Sequence, residues 1–257
     1  MWDHRKGIMM ALSFQHKKYK GKINVGLMKV SIVLPTLNEE EGIGDTIDSL
    51  RKKEFERRGW EMEILVVDGN STDRTRDIAR EKGAKVIIEP RKGYGRAYKT
   101  GLKEAEGEII VTGDADGTYP FDEAHEYIDI LLNENLDFIN TNRFAGLTHR
   151  SMSFKHFFGN LILSLTLRLL YGIKIKDSQS GMWVIRKSAL SKIKPLEEFH
   201  DGMPFSEEIK IEMFRNKKIR AKEIPSRLYE RKGMAKIQTW GDGWENLKFL
   251  IKYRLSG

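Results

Sequence analysis

At 257 residues and 40% hydrophobic side chains, the chain has the size and composition of a folded domain rather than of a disordered segment. It contains no cysteine, which excludes disulfides, thiolate metal sites and a cysteine nucleophile. A net charge of +8 points to an anionic partner: nucleic acid, a membrane surface or a phosphorylated ligand.

Residues 1–27 are basic and irregular and are expected to form an extension, with Met28-Lys29-Val30 opening the first strand. VSIVLP (30–35) reads as a buried strand, followed by a helix from about Glu40 to Phe55. EILVVD (63–68) is a second strand, after which Ser71-Thr72-Asp73 is expected to cap a helix running to Lys82. AKVIIE (84–89) is a third strand, and a helix follows the loop RKGYG (91–95). EIIVT (108–112) leads the fourth strand into GDAD, a helix starts near Phe121, and DFINTN (137–142) is the fifth strand. Near-continuous apolar strands alternating with helices predict an α/β fold, a Rossmann-like, mainly parallel sheet covered by helices on both faces. No linker or repeat divides the chain, so one domain is expected over 28–239, with an amphipathic C-terminal helix over 240–257.

Ligands in such sheets sit at the carboxyl ends of the strands. Polar stretches fall there four times: Asn38-Glu39, Asp68, Arg91 to Arg96, and Asp114 with Asp116. Asp68-Gly69-Asn70 also reads as a turn with a helix cap. The Arg91-Lys92-Gly93-Tyr94-Gly95-Arg96 loop is like a phosphate loop, but lacks the third glycine of a dinucleotide fingerprint and the lysine spacing of a P-loop. In GDADGTYP (113–120) two carboxylates flank one alanine. Continued strand alternation would aim both at one divalent cation, which removes their repulsion; hard oxygen ligands suit Mg²⁺ or Mn²⁺.

VSIVLPTLNEEEGI, ILVVDGNSTDRT, GYGRAYKTGL and IIVTGDADGTYP, in that order, resemble the inverting family 2 glycosyltransferases of GT-A fold. NTNRF (140–144), DSQSGMWVIRKSAL (177–190) and RKGMAK (231–236) are similar to the dolichol-phosphate sugar synthase branch, which moves a sugar from a nucleotide to a polyprenyl phosphate. The resemblance covers roughly 29–243; the chain departs from it in lacking membrane spans after the catalytic domain, and in reading Asp68-Gly69 where many relatives have two aspartates. It implies that Pro35, Asn38 and Glu39 line the nucleoside pocket, that Asp68 holds the base or ribose, and that Asp114 lies near ribose and metal with Asp116 on the metal. Lys92, Gly93 and Gln179 join the substrate side. Arg231 and Lys236 would close over the diphosphate, the alternative being a solvated basic loop. Arg143 would favour a phosphate, or stand as a surface charge. The DGTYP segment looks like the glucosyl branch, which favours a UDP-sugar over GDP-mannose; a saccharide acceptor and a non-catalytic binding subunit are the other readings.

A lipid phosphate is already an anion, so attack on the sugar needs little base catalysis; Glu207 and Glu208 are the runner-up bases, or simply carboxylates at a helix start. The run LILSLTLRLLY (161–171) carries Arg168 and is too short to span a bilayer, and no signal-peptide pattern is seen. Segments 154–171 and 240–255 both suit interfacial helices and equally suit core helices, with the core reading preferred for 154–171. Peripheral attachment to the cytoplasmic membrane face, directly or through a membrane-protein partner, is therefore expected. No nucleic-acid motif accompanies the basic residues.

Overall fold

Seven strands form one sheet in the computed structural model, which describes residues 27–147, 152, 154–233 and 239–256. The strands are β1 (Met28–Thr36), β2 (Trp60–Asp68), β3 (Lys85–Ile88), β4 (Ile109–Thr112), β5 (Phe138–Gly146), β6 (Trp183–Arg186) and β7 (Ala221–Arg227). Their order is β3-β2-β1-β4-β6-β5-β7. All neighbours run parallel except β6, which is antiparallel to β4 and β5. The continuous apolar runs arise because both faces of the central strands are covered. Ile32, Leu34, Val66 and Val111 join one core cluster, while Val33, Leu65, Val67 and Ile110 join the other. From β1 the chain winds outward through β2 to β3 and then returns to place β4 on the other side of β1. The carboxyl ends of β1 and β4 therefore flank a point where the winding reverses, the place such sheets bind ligands.

The helices are α1 (Ile43–Ser49), α2 (Lys52–Arg57), α3 (Thr75–Glu81), α4 (Tyr94–Glu104), α5 (Ala124–Asn133), α6 (Phe154–Tyr171), α7 (Phe205–Arg215) and α8 (Thr239–Ser256). The single helix expected over 40–55 is two. Ser49 Oγ donates to the Thr46 carbonyl at 2.7 Å, and Leu50 turns extended (φ −63°, ψ 116°) to bury its side chain. The helix expected after Ser71-Thr72-Asp73 begins at Thr75, whose N donates to Asp73 Oδ1 at 3.0 Å, while the Ser71 and Thr72 hydroxyls bond Asp68 and Asn38 instead. β4 ends at Thr112, so strand alternation does not reach Asp114 or Asp116.

A third cluster lies away from the sheet, where Leu163, Leu167 and Tyr171 of α6 meet Ile211 of α7 and Leu250 of α8. The opposite face of α6 is open: Phe154, Phe158, Ile162, Leu165 and Leu169 are all exposed. The core reading of 154–171 thus holds for one face only. No helix among the described residues is long and apolar enough to cross a membrane. The expected extension, residues 1–27, falls outside the described residues except for Leu27.

Candidate active site at the carboxyl edge of the sheet

The register brings Thr36 opposite Asp68 and Val33 opposite Thr112, so the loops after β1, β2 and β4 leave the sheet on one edge. The first two are stitched together by short polar side chains. Asp68 is fully buried and accepts from Ser71 N at 3.0 Å and Ser71 Oγ at 2.5 Å. Ser71 Oγ accepts from Asn38 N at 2.8 Å, Asn38 Oδ1 accepts from Thr72 N at 2.8 Å, and Thr75 Oγ1 accepts from Glu39 N at 2.7 Å. Asn38 and Asn70 take left-handed backbone angles (φ 53° and 71°), which asparagine tolerates better than most residues. Asp68 thus acts through the loop it shapes, while half-buried Pro35 and Glu39 and exposed Asn38 form the wall itself.

Asp114 and Asp116 stand in the bend beyond β4. Asp116 is buried; its Oδ1 accepts from Thr118 N at 3.0 Å and Thr118 Oγ1 at 2.6 Å, and its Oδ2 accepts from Arg231. The same guanidinium donates to Glu39 Oε1 at 2.8 Å. Arg231 sits on a strap laid across the bend, with Tyr229 N on the Thr118 carbonyl (2.8 Å), Lys232 N on the Asp116 carbonyl (2.9 Å) and the Lys232 ammonium on Asp45. Lys236 lies outside the described residues. Burial, and next the charge of Asp116, push Asp114 up to about 7, against the pull of Arg143 and Arg231. The two carboxylates therefore share one field although the strand ends before them.

Among the described residues no group of three or more His, Asp or Glu is arranged to hold a metal ion. Two neighbouring carboxylates with a guanidinium standing in as counter-cation on one of them still fit Mg²⁺ or Mn²⁺. Such ions commonly take one or two protein carboxylates and complete their shell with phosphate oxygens and water.

The tyrosines of a third wall, which pack around the Asp177–Gly181 turn, went unread in the sequence. A side chain at Gly181 would bring its Cβ to 2.8 Å from Tyr94 Oη, 2.9 Å from Tyr98 Oη and 3.4 Å from Tyr119 Oη, so only glycine fits among the three phenols. Tyr119 Oη accepts from Gly181 N at 2.6 Å, and Tyr98 Oη lies 3.3 Å from both the Gly181 carbonyl and Asp114 Oδ1. The signal was present in GYGRAY, whose tyrosines are four apart on one helix face.

Arg143 does not present its guanidinium to an open phosphate site. It is committed to Asp177, through Nε at 2.7 Å and a second nitrogen at 2.9 Å, with its backbone N at 3.0 Å. Burial alone would raise Asp177, but the charge and hydrogen bonds of Arg143 hold it below the usual carboxylate range. Gln179, two residues on, donates to Glu207 Oε1 at 2.7 Å and accepts from Asn246 Nδ2 at 3.1 Å. Burial pushes Glu207 up to about 8, which favours its neutral form and works against a carboxylate base at this position. Glu208 is paired with Lys194 and accepts from His200 N at 2.7 Å. The phosphate-loop reading of 91–96 also finds its amides taken: Gly95 N and Arg96 N donate to the Gly202 and Asp201 carbonyls at 3.3 and 2.9 Å. A Cβ at Gly93 would stand 2.2 Å from the Asp201 carbonyl, so that glycine serves chain packing. Lys92 is exposed beside it.

The acidic pair and its facing guanidinium thus stand where the winding of the sheet reverses, on a fold of the GT-A type. The chain belongs to glycosyl transferase family 2, whose profile matches residues 31–194. It is 35% identical over 224 residues to the low-salt glycan biosynthesis hexosyltransferase Agl6 of Haloferax volcanii, covering 86% of this chain but only 53% of that protein, so it spans about half the length of that relative. It is 30% identical to a dolichyl-phosphate hexose transferase of the same organism, over 87% of this chain and 92% of that one. A glucosyl-3-phosphoglycerate synthase from Mycobacterium tuberculosis, crystallised with Mn²⁺, UDP and glucosyl-3-phosphoglycerate, superposes with a TM-score of 0.68 over 89% of this chain and 80% of that chain; at 21% identity this likeness speaks for the fold.

Proposed function

We propose that the chain is an inverting, metal-dependent hexosyltransferase that moves a sugar from a nucleotide sugar, a UDP-sugar being favoured, to a polyprenyl phosphate. The observation that carries this reading is the Arg231 guanidinium spanning Asp116 and Glu39 at the mouth of the crevice. A strap-borne cation facing paired carboxylates suits a nucleoside diphosphate arriving with Mg²⁺ or Mn²⁺.

When bound at Asp116 with Asp114, that ion supplies Lewis-acid neutralisation of the departing diphosphate. Arg231 adds positive charge where negative charge grows on the leaving group, a role we extend to Lys236 from the sequence alone. Pro35, Asn38 and Glu39 hold the nucleoside, with Asp68 locking their loop through Ser71, and Lys92 offers a further cation to substrate. Arg143 serves through Asp177, holding the loop that carries Gln179. The acceptor phosphate is itself the nucleophile, and a protonated Glu207 agrees with a site that has no carboxylate base on that side.

The name of the dolichyl-phosphate hexose relative supports a lipid-phosphate acceptor. So does the open apolar face of α6, with Trp244, Ile251 and Leu255 exposed on neighbouring α8. We place the enzyme peripherally on the cytoplasmic face of a membrane, held by that face or by a membrane-protein partner. Incubation with a panel of nucleotide sugars and polyprenyl phosphate, followed by lipid extraction and mass measurement, tests the reading. A hexose-bearing lipid formed from a UDP-sugar is expected. A product found only on saccharides moves the acceptor, and tighter binding of GDP than UDP in calorimetric titration moves the donor to the mannosyl branch.

A further inference from the structure

The loop Asp177–Gly181 stands between the catalytic edge and the two outer helices. On its inner side Asp177 pairs with Arg143, and Gly181 packs among the tyrosines beside Asp114. On its outer side it is held by buried polar side chains from three helices. Ser164 of α6 accepts from Ser178 N at 2.9 Å, and Lys210 of α7 donates to the Ser178 and Ser180 carbonyls at 2.6 and 2.7 Å. Asn246 of α8 reaches only one atom of the loop, Gln179 Oε1 at 3.1 Å.

That last contact is not explained by stability. Asn246 is 2% exposed, yet among the described residues its Oδ1 has no hydrogen-bond partner, and neither has Glu207 Oε2 on the other side of Gln179. A buried unpaired carbonyl costs as much as, or more than, a single neutral hydrogen bond contributes. What the amide does supply is direction, since it fixes the Gln179 carboxamide from the side opposite Glu207. The helix that carries it also exposes Trp244, Ile251 and Leu255.

We propose that Asn246 is a positioning residue: by orienting Gln179 it sets the Asp177–Gly181 loop for the acceptor phosphate, so that use of the acceptor depends on how α8 is seated. This rests on the polyprenyl-phosphate reading above. A bond made or lost at Gln179 acts on this loop and involves none of the hydrogen bonds that join Asp68, Ser71 and Asn38 or Asp116 and Arg231.

The test uses the full chain carrying Asn246→Ala, or the near-isosteric Asn246→Asp should the first fail to fold, with a short, water-dispersed polyprenyl phosphate, so that vesicle binding plays no part. The expected result is a fall of about tenfold or more in kcat/KM for the acceptor. UDP affinity in Mn²⁺ should stay within about twofold and the thermal midpoint within a few degrees. Adding Asn246→Ala to Gln179→Ala should cost nothing further, because the two residues form one link. Unchanged acceptor kinetics, a parallel loss of UDP affinity and thermal stability, or additive effects in the double variant would each overturn the proposal. A wild-type chain that binds UDP but glycosylates no polyprenyl phosphate overturns the functional reading, and this inference with it.

Discussion

The wall under the strap and the Asp177–Gly181 loop are both dense in polar groups, but their charges are balanced differently. Under the strap, Asp116 and Glu39 answer to one guanidinium that is a quarter exposed. At the loop, Asp177 is buried under Arg143, and the Lys210 ammonium is enclosed by Ser178, Ser180 and Ser206. A half-open pair is one that an arriving diphosphate and cation can exchange into. An enclosed pair is scaffold, since opening it strands a charge away from water. The difference separates residues whose loss should stop the reaction from residues whose loss should loosen the fold.

The sharpest way to break that contrast is Asp116→Ala. Transfer should fall below detection, because several kcal/mol of charge stabilisation at the diphosphate go with the carboxylate. The thermal midpoint should move little, since the lost bonds are those to Thr118 and Arg231. Full activity of this variant in chelator would remove the metal assignment.

Arg143→Ala probes the other side. It leaves Asp177 fully buried without its counter-charge, and about 3–5 kcal/mol of stability should be lost on urea denaturation. A variant as stable as the wild type would show that Arg143 is not scaffold and return it to the phosphate role that its place just after the expected strand 137–142 suggested.

The same contrast explains what could be read in advance. Strand ends are legible because an apolar run stops and short polar residues follow; Asn38, Glu39, Asp68, Asp114 and Asp116 were found that way, and the sheet register brings their loops together. Ser71 was seen too, but as a helix cap, because nothing local says that its hydroxyl will meet Asp68 and Asn38 instead. Ser164, Lys210 and Asn246 were missed because each is one polar side chain on a mostly apolar helix face, and its partner is fixed only when helices pack. Arg143 was read as an available cation because its sequence neighbours do not reveal Asp177, which lies 34 positions away. The antiparallel β6 follows from a long excursion through α6, outside the strand–helix alternation that predicted a mainly parallel sheet.

A smaller effect separates burial from charge within the acceptor side. Burial raises Glu207 from 4.5 to about 8, so the folded chain holds a proton that the unfolded chain releases above pH 4.5. Its contribution is fully present below pH 4.5 and drains away as pH climbs to about 8. Lys210, lowered by burial from 10.5 to about 7, acts oppositely: its contribution is fully present above pH 10.5 and is lost as pH falls to about 7. Thermal midpoints measured from pH 5 to 8 should therefore fall more steeply for the wild type than for Glu207→Gln. Parallel profiles would mean that Glu207 is ionised in the folded protein and that Gln179 faces a carboxylate.

The weakest expected effect lies outside both walls, on the apolar faces of α6 and α8. Phe154, Phe158, Ile162, Leu165 and Leu169 recur at spacings of three and four, one exposed stripe of α6, while Lys155 and Arg168 are also exposed. Each basic residue near an anionic leaflet contributes on the order of 1 kcal/mol, and salt weakens it. In the full chain, replacing Trp244, Ile251 and Leu255 of α8 by Gln removes its exposed apolar side chains without taking Leu250 from the third cluster, and it leaves the α6 stripe in place. Co-sedimentation with anionic vesicles should therefore fall without vanishing. In the full chain, Leu165→Gln with Leu169→Gln should lower it by about fivefold to tenfold, since full burial of one such side chain is worth roughly 1.5–3 kcal/mol and a shallow helix gains a fraction of that. The fold should tolerate the pair, because Leu169 is 85% exposed and Leu165 43%. Vesicle binding that survives both the α8 and the α6 substitutions would assign the stripe to a membrane-protein partner. The acceptor-side loop would then be coupled to a protein surface and not to lipid.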